Sequence, residues 1–186
     1  VDFSNLNRQI LFNTRDVGKF KVIQAKKKLL RGNKKSKIDI YKEKIVKKNI
    51  ENILSKYDII CDCSDNFTTR YLLNDFCLKN KKILISAAIS KFEAHIFNFN
   101  FSKNIPCYRC FMPEIPVTDN KCDSEGILPT VAGIAGTLQA NEVVKSILNK
   151  KSELVGKMIV FNTLNLNFRK IKLTKNTNCI ESCVKK

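Results

Sequence analysis

The run Tyr57-Asp58-Ile59-Ile60-Cys61-Asp62-Cys63 decides the fold, because its apolar centre is typical of a buried β-strand. The run turns polar at Ser64-Asp65-Asn66, and a helical pattern follows over residues 66–79. A second apolar strand is predicted over residues 82–86, of the kind that is covered on both faces of a sheet. A strand, a helix and a second strand in this order indicate a parallel α/β sheet.

Flanking segments continue the pattern on both sides of this unit. The further predictions are, in chain order, a helix over 18–31, a strand over 38–41, a helix over 49–56, a half-exposed antiparallel strand over 94–101, a Pro-rich loop over 104–129, a long apolar helix over 131–148, and strands over 158–161 and 168–173. We therefore expect one α/β domain with a mostly parallel sheet and an antiparallel C-terminal extension.

The composition limits the class of protein. At 186 residues, with 44% hydrophobic and 9% aromatic residues, the chain suits one globular domain with a sizeable core. No apolar stretch approaches the roughly 20 residues that span a bilayer, and the start lacks the regions of a signal peptide. We expect a cytoplasmic protein that does not enter a membrane.

The formal net charge of +17 raises the question of nucleic-acid binding. The lysines are spread over most of the chain, and few aromatic residues stand beside them to stack bases. We therefore interpret the charge as a solvated surface rather than a nucleic-acid interface. The charge is also compatible with an acidic protein partner.

The polar run Ser4-Asn5-Leu6-Asn7-Arg8-Gln9 is the first candidate site. It precedes Gly18-Lys19-Phe20-Lys21, where the helical pattern begins. Amide and cationic donors then meet a helix N-terminus, which is where an anion such as phosphate binds. A solvated loop followed by an ordinary helix cap is an equally weighted alternative.

Two carboxylates, Asp62 and Asp65, follow the central strand at its carboxyl end. Ligands bind at this end of the strands in open parallel sheets. A carboxylate there can hold Mg²⁺ beside nucleotide phosphates. Taken alone, Asp65 is better interpreted as the N-cap of the helix that starts near Asn66.

Four of the eight cysteines have the spacing of metal ligands. Cys107 and Cys110 are separated by two residues on the Pro-rich loop, and Cys179 and Cys183 by three residues in the tail. Four thiolates suit a tetrahedral Zn²⁺ site that clips the tail to the loop and leaves no open position for catalysis. Two unrelated thiol pairs, or a disulfide within each pair, are the alternatives, and a reducing compartment disfavours the disulfides.

Cys122 stands apart from these pairs, on the loop ahead of the long apolar helix and next to Lys121. A thiol near a lysine and a helix N-terminus can have a depressed pKa and act as a nucleophile, although a loop cysteine is often incidental. The cysteines within the predicted strand and helix are expected to belong to the core, namely Cys61, Cys63 and Cys77.

Taken together, the motifs resemble those of the ThiF/MoeB/HesA adenylyltransferases, bacterial relatives of the ubiquitin-activating enzymes. The matching segments are, in order, Ser4-Asn5-Leu6-Asn7-Arg8-Gln9, Gly18-x-x-Lys21, Asp62-Cys63-Ser64-Asp65-Asn66 with Arg70, Cys107-Tyr108-Arg109-Cys110, Cys122-x-x-Glu125-Gly126 and Gly136-Thr137-Leu138-Gln139-Ala140. Their order and spacing agree across nearly the whole chain. The resemblance implies a Rossmann-like fold in a homodimer.

The resemblance also implies an activity. Family members activate a ubiquitin-like sulfur-carrier protein, whose C-terminal Gly-Gly carboxylate attacks the α-phosphate of MgATP to give an acyl adenylate and pyrophosphate. The adenylate is then converted to a thiocarboxylate for molybdopterin or thiamine synthesis. A sulfurtransferase or a cysteine desulfurase is the implied further partner.

The resemblance assigns roles to individual residues. By match to the motifs, Arg8 and Lys21 would neutralise the phosphates and the charge that develops during transfer, and Asn5 and Gln9 would place the nucleotide. The remaining assignments are Asp65 as the Mg²⁺ ligand, Asn66 as its support, and Cys122 as the loop cysteine that forms a persulfide or acyl link in some members.

Some features of the family pattern are absent from this sequence. Ahead of Ser4 there is no glycine-rich phosphate loop, no arginine that would reach the partner subunit's site and no aspartate for the ribose. We therefore expect residues 1–186 to be an N-terminally truncated adenylation domain that is weakly active or inactive by itself. The three-residue spacing of the second cysteine pair also departs from the family's usual two.

Two other functions stay open. A dehydratase of the same fold that adenylates a modified tRNA base would suit the positive charge, but the cysteine pairs and Cys122 disfavour it. A non-catalytic, zinc-stabilised module would hold a small carrier protein without binding ATP. The motifs do not distinguish a molybdopterin carrier from a thiamine carrier.

Overall fold

A computed structural model describes residues 1–115 and 126–179. The chain divides into two compact units, the N-terminal unit Val1–Lys44 and the C-terminal unit Ile45–Lys186. The helices are α1 Lys21–Gly32, α2 Ile50–Leu54, α3 Phe67–Lys79, α4 Tyr108–Phe111 and α5 Pro129–Ile147, and the strands are β1 Ile59–Asp62, β2 Ile83–Ser90, β3 Glu93–Asn100, β4 Lys157–Asn162 and β5 Asn167–Lys172. None of the described helices is both long and apolar enough to cross a membrane.

The regular secondary structure described in the N-terminal unit is helical. Two 3₁₀ turns, Phe3–Asn5 and Thr14–Asp16, precede α1, which confirms the predicted helix with a start at Lys21 rather than Gly18. Gly18 instead has a φ of +80°, which glycine adopts without strain. The strand predicted over residues 38–41 is wrong, since none of the described strands pairs with this segment.

The C-terminal unit is built on a five-stranded sheet in the order β1-β2-β3-β4-β5. β1 runs parallel to β2, with Asp62 opposite Ser86, and the other three neighbouring pairs are antiparallel. The α/β class and the antiparallel C-terminal extension are confirmed, but the expectation of a mostly parallel sheet is wrong for the described strands. Residues 91–92 are too short for a parallel crossover and turn the chain straight back into β3.

Helices cover both faces of this sheet. On one face, α3 and α4 pack over a core in which Phe97, Phe99 and Tyr108 are buried. On the other face, Val131 of α5 and Ile96 of β3 share a second core. The strand predicted to be half-exposed, now β3, is therefore buried on both sides, because a helix lies over each face.

A buried carboxylate joins α5 to β3. Glu142 is 5% exposed, and its oxygens accept hydrogen bonds from Asn98 Nδ2 at 2.8 Å and from the Ser152 hydroxyl. Lys145 Nζ lies 2.8 Å from the same carboxylate. Burial disfavours the charged form of Glu142, but these donors outweigh burial and lower its pKa. The polar side chain of Asn98 is thus buried and donates a hydrogen bond to Glu142. A polar residue at this position of β3 therefore does not mark an exposed face of the strand.

Strand β5 is exposed along its whole length. It pairs with β4 on one side, and no described strand pairs with its other side. Its side chains include two apolar residues, Phe168 and Ile171, and three cations, Arg169, Lys170 and Lys172. This edge therefore combines apolar surface with positive charge.

Candidate functional site

The N-terminal unit brings residues 4–9 to the start of α1. Lys21 is the first residue of α1, and its Nζ donates a hydrogen bond to Asn5 Oδ1 at 2.8 Å. Asn5 Nδ2 lies 3.3 Å from Ser4 Oγ, and Arg8 Nη1 donates to the Ser4 carbonyl at 3.1 Å. Two cations and an amide are therefore linked through one short chain of hydrogen bonds, in the place where the sequence predicts an anion site.

Gln9 completes this cluster in an unusual way. Its backbone N–H donates to the Asn5 carbonyl at 2.9 Å, which fixes the residue within the turn. Its side-chain Oε1 is buried and has no hydrogen-bond partner among the described residues. Buried polar atoms in native proteins are nearly always paired, so we expect a ligand or an ordered water to donate to this oxygen.

The start of α1 has no polar cap. Phe20 occupies the N-cap position and makes no side-chain cap hydrogen bond. The first N–H groups of a helix have no partner within the helix, so this start leaves donors for an anion. The start of α1 thus has no side-chain cap, and the anion site at residues 4–9 stays a prediction.

In the C-terminal unit, Asp62 is a buried structural carboxylate. It is 1% exposed, and its Oδ2 lies 3.3 Å from Arg70 Nη1 and 2.8 Å from Ser86 Oγ. Its Oδ1 accepts hydrogen bonds from the amide and the hydroxyl of Ser64 at 2.9 and 2.6 Å. Both oxygens of Asp62 already accept hydrogen bonds inside the protein, so this carboxylate does not suit a magnesium ligand.

Asp65 and Asn66 lie in the loop between β1 and α3, and both are exposed. Asn66 is the N-cap of α3, and its Oδ1 accepts a hydrogen bond from the Thr69 N–H at 2.9 Å. The interpretation of Asp65 as the helix cap is therefore wrong, because the next residue takes that role. The Asp65 carboxylate faces solvent, with Asn66 Nδ2 at 3.4 Å, and can accept a cation.

Two buried polar side chains near this loop received no role from the sequence. Arg70 reaches it from α3 and Gln139 reaches it from α5. Arg70 follows the helix cap Asn66 by one turn, and this spacing could have indicated a side chain directed back toward the loop. Nothing in the local sequence places Gln139 beside β1, because the two are remote in the chain.

Three of the four predicted metal ligands meet at the α4 turn. The sulfur of Cys107 lies 3.9 Å from that of Cys110 and 3.6 Å from that of Cys179, and the three sulfurs are within 4.8 Å of one another. Thiolates bound tetrahedrally, each about 2.3 Å from zinc, lie about 3.8 Å apart. The spacing fits such a site, and Cys179 of the second pair lies beside both cysteines of the first pair. The fourth predicted ligand, Cys183, lies outside the described residues.

Helix α3 holds the turn that carries the first cysteine pair. Asn74 Oδ1 accepts a hydrogen bond from the Tyr108 N–H at 2.8 Å. Arg109 donates to both carboxylate oxygens of Asp75, and its guanidinium lies 4.6 Å from the centroid of the Tyr71 ring. Contacts with α3 therefore position the two thiols independently of any metal.

The other cysteines divide into three groups. Cys122 lies outside the described residues. Cys61 and Cys63 are exposed, so the expectation that they belong to the core is wrong. Cys61 lies on β1 and Cys63 directly after it. In the described sheet, β1 pairs with a strand on one side only. Cys77 is buried as expected, and burial raises the pKa of its thiol to about 12.

Comparisons with known proteins show which family this chain belongs to. The model of the ThiF family matches residues 1–181 of this chain. The chain is 44% identical over 191 residues to the "Probable molybdopterin-synthase adenylyltransferase" of Pyropia yezoensis, a match that covers 100% of this chain and 49% of that protein. It is 34% identical over 185 residues to the "Sulfur carrier protein adenylyltransferase" of Thermus thermophilus, which covers 96% of this chain and 68% of the relative.

A solved structure agrees with the fold. E. coli MccB, crystallised with ATP, matches with a TM-score of 0.80 at 22% identity, over 97% of this chain and 55% of that one. At this identity the likeness shows the fold alone. The chain spans about half the length of several curated relatives that it matches, with shares of 49%, 46% and 40%.

Proposed function

Because this chain belongs to the ThiF family, we propose that it adenylates the C-terminal Gly-Gly carboxylate of a ubiquitin-like sulfur-carrier protein. A carboxylate oxygen bonds to the α-phosphorus of ATP, the bond from that phosphorus to the bridging oxygen breaks, and pyrophosphate leaves. The names of the Pyropia and Thermus relatives support this reaction. The geometry that carries the proposal is the hydrogen-bonded set of Asn5, Arg8 and Lys21 at the start of α1.

In this proposal the N-terminal unit binds the nucleotide phosphates. Arg8 and Lys21 neutralise the triphosphate and the negative charge that develops on the leaving pyrophosphate. Asn5 places the Lys21 ammonium through its side-chain oxygen. Gln9 contributes to placing the nucleotide, and its Oε1, which has no partner within residues 1–115 and 126–179, supplies an acceptor for a donor group of the ligand.

The loop after β1 supplies the metal ligand of the reaction. Mg²⁺ prefers one or two carboxylates together with phosphate oxygens and water. Asp65 suits this role because its carboxylate is exposed and is not used to cap α3. Asn66 supports the site by fixing the start of α3 directly beside Asp65.

A structural Zn²⁺ is the second metal of the proposal. Its ligands are the thiolates of Cys107, Cys110, Cys179 and Cys183, and the sulfur spacing of the first three supports this assignment. Four thiolates leave zinc no open position, so the ion would stabilise the loop and tail rather than take part in the reaction. Cys122 is proposed to act after adenylation, through a persulfide or acyl link on the way to the thiocarboxylate.

The proposal extends to the setting of the enzyme. We expect a cytoplasmic homodimer that receives sulfur from a sulfurtransferase or a cysteine desulfurase. The Pyropia relative favours a molybdopterin carrier over a thiamine carrier. A purified carrier of each type, offered in parallel, would identify the pathway by the faster adenylation.

ATP–pyrophosphate exchange tests the proposed reaction. The full-length gene product is assayed with a carrier that ends in Gly-Gly and with the same carrier lacking its last glycine, and only the first is expected to support exchange. Lys21→Ala is expected to lower the exchange rate about 100-fold, because it removes a cation from the developing charge. Lys27→Ala, which changes an exposed lysine of the same helix, is the matched control and should exchange at the wild-type rate.

Two results would overturn the proposal in favour of the other functions. Exchange that requires tRNA instead of the carrier would favour the dehydratase. Zinc and carrier binding without nucleotide binding would favour the non-catalytic module. Metal analysis and nucleotide titration of the same preparation separate these outcomes.

A further inference from the structure

Two buried polar side chains hold the end of β1 from opposite faces of the sheet. Arg70 projects from α3 and is 7% exposed, and Gln139 projects from α5 and is 4% exposed. They contact residues 62–64, where β1 leads into the loop over residues 63–66; this loop carries Asp65, and we call it the Asp65 loop. The adenylation proposal uses neither side chain.

Arg70 fixes the loop from the α3 side. Its Nη1 lies 3.3 Å from Asp62 Oδ2, 3.2 Å from Ser86 Oγ and 3.0 Å from the Ala87 carbonyl. Its Nη2 donates to the carbonyl of Ser64, which is in the loop itself. The guanidinium therefore connects the end of β1 and the middle of β2 to Ser64 in the Asp65 loop.

Gln139 fixes the same point from the α5 side. Its Nε2 donates to the Asp62 carbonyl at 3.0 Å and to the Ile85 carbonyl at 2.7 Å. Its Oε1 accepts a hydrogen bond from the Cys63 thiol at 3.2 Å. Asp62 is the last residue of β1 that pairs with β2, so Gln139 stabilises the backbone where the regular ladder stops.

We propose that Arg70 and Gln139 are positioning residues that hold the Asp65 loop in the geometry that Mg²⁺ requires. The inference rests on the proposed function, in which Asp65 is the magnesium ligand. Neither residue touches the reacting atoms, and each acts through the backbone of residues 62–64. If either contact is lost, the Asp65 carboxylate remains but samples more positions, which weakens its hold on the metal.

Two variants separate positioning from folding. Gln139→Met keeps the side-chain length and removes the three hydrogen bonds. Arg70→Lys keeps a positive charge opposite Asp62, because a buried carboxylate without its partner is strongly destabilising. The lysine ammonium cannot form the several directed hydrogen bonds of the guanidinium. Phe161→Leu is the control, because it disturbs a buried side chain of β4 in the second core, three strands away from β1.

The first measurement needs neither nucleotide nor turnover. The Ser64 amide donates to Asp62 Oδ1, so its hydrogen exchange reports the order of the Asp65 loop. At conditions that match overall stability, we expect exchange of this amide to be about 10-fold faster in Gln139→Met and Arg70→Lys than in Phe161→Leu. Equal exchange in Gln139→Met and Phe161→Leu would overturn the inference.

The second measurement is the Mg²⁺ requirement of the reaction. In ATP–pyrophosphate exchange, the Mg²⁺ concentration at half-maximal rate should rise about 10-fold in both variants, with a smaller change in the rate at saturating Mg²⁺. Phe161→Leu should leave this concentration unchanged. An unaltered Mg²⁺ requirement in both variants would overturn the link to the metal. No exchange in the wild-type protein would instead reject the proposed function, while the Ser64 amide would still show whether the loop is positioned.

Discussion

Arg109 donates two hydrogen bonds to Asp75, from Nε to Oδ1 at 2.8 Å and from Nη2 to Oδ2 at 2.7 Å. Both side chains are mostly buried, at 18% and 25% exposure, and the guanidinium also lies over the Tyr71 ring. Arg109 stands between the two cysteines of the first pair, so this contact attaches the thiol turn to α3. A bidentate pair of this kind fixes orientation as well as distance.

Asp75→Asn should weaken the zinc site without removing a ligand. The amide cannot accept both arginine hydrogen bonds, so the turn becomes less ordered before metal binds. We expect a loss of about 1 kcal/mol in the free energy of unfolding and about 10-fold in zinc affinity. Urea unfolding and competition with a chromophoric chelator measure the two effects. Asp58→Asn, which changes an exposed carboxylate of the same unit, is the control, and equal zinc affinities in the two variants would contradict the prediction.

Cys107→Ser should remove zinc from the protein. Its sulfur lies near those of both Cys110 and Cys179, so its loss breaks the cluster at its centre. We expect the zinc content to fall from about one ion per chain to a small fraction of that. Mass spectrometry of the metal content in protein purified without chelators checks this. The exposed Cys61→Ser should keep its zinc, and a similar loss in both variants would argue against the assigned ligands.

Variants of Asp65 and Asn66 should separate metal binding from helix capping. Asn66→Ala removes the side-chain oxygen that caps α3 and should cost about 1 kcal/mol in unfolding free energy. Asn66→Asp retains the cap and should cost little. Asp65→Asn should leave stability unchanged but lower the Mg²⁺-dependent exchange rate about 100-fold. A stability loss in Asp65→Asn as large as that in Asn66→Ala would mean that Asp65 is a structural residue.

Glu142 should make stability depend on pH in the acid range. Its pKa is lowered from the ordinary value of 4.5, so its contribution is present above about pH 4.5 and is lost as the pH falls through the lower folded-state pKa. We expect Glu142→Gln to reduce the free energy of unfolding by about 1–2 kcal/mol at pH 7, and by progressively less below pH 4.5. Urea titrations at several pH values test this, with the exposed Glu51→Gln as control. A difference that stays constant from pH 7 to pH 3 would contradict it.

Local pattern predicts those parts of the fold that local sequence determines. The strand ending at Asp62, the following helix and the next strand were all placed correctly, because their apolar spacing does not depend on distant residues. The partners of each strand were harder to predict. Residues 38–41 have strand-like composition but do not join the described sheet, so β1 and β2 form its one parallel pair among the described strands. The antiparallel direction predicted for the strand over 94–101 is confirmed by its pairing with β2.

The candidate site shows the same division. The contact between Asn5 and Lys21 at the proposed phosphate site could be predicted because the polar run and the start of α1 lie within 20 residues of each other. The contact of Gln139 with the end of β1 could not be predicted in this way. Gln139 is 77 positions from Asp62 and reaches it only after α5 has packed on the sheet. Sequence pattern identifies the side chains that can meet a ligand more readily than those that hold them in place.

The cations along β5 have a consequence for how the protein behaves at high concentration. An exposed strand with an unpaired edge is a template on which a second copy can add its own strand. Here Arg169, Lys170 and Lys172 would face the same charges on another copy, and their repulsion opposes that pairing. Salt screens such repulsion, with a Debye length of about 3 Å at 1 M. The protein is therefore best concentrated at low ionic strength, where the charges of β5 oppose edge-to-edge pairing of this strand between copies.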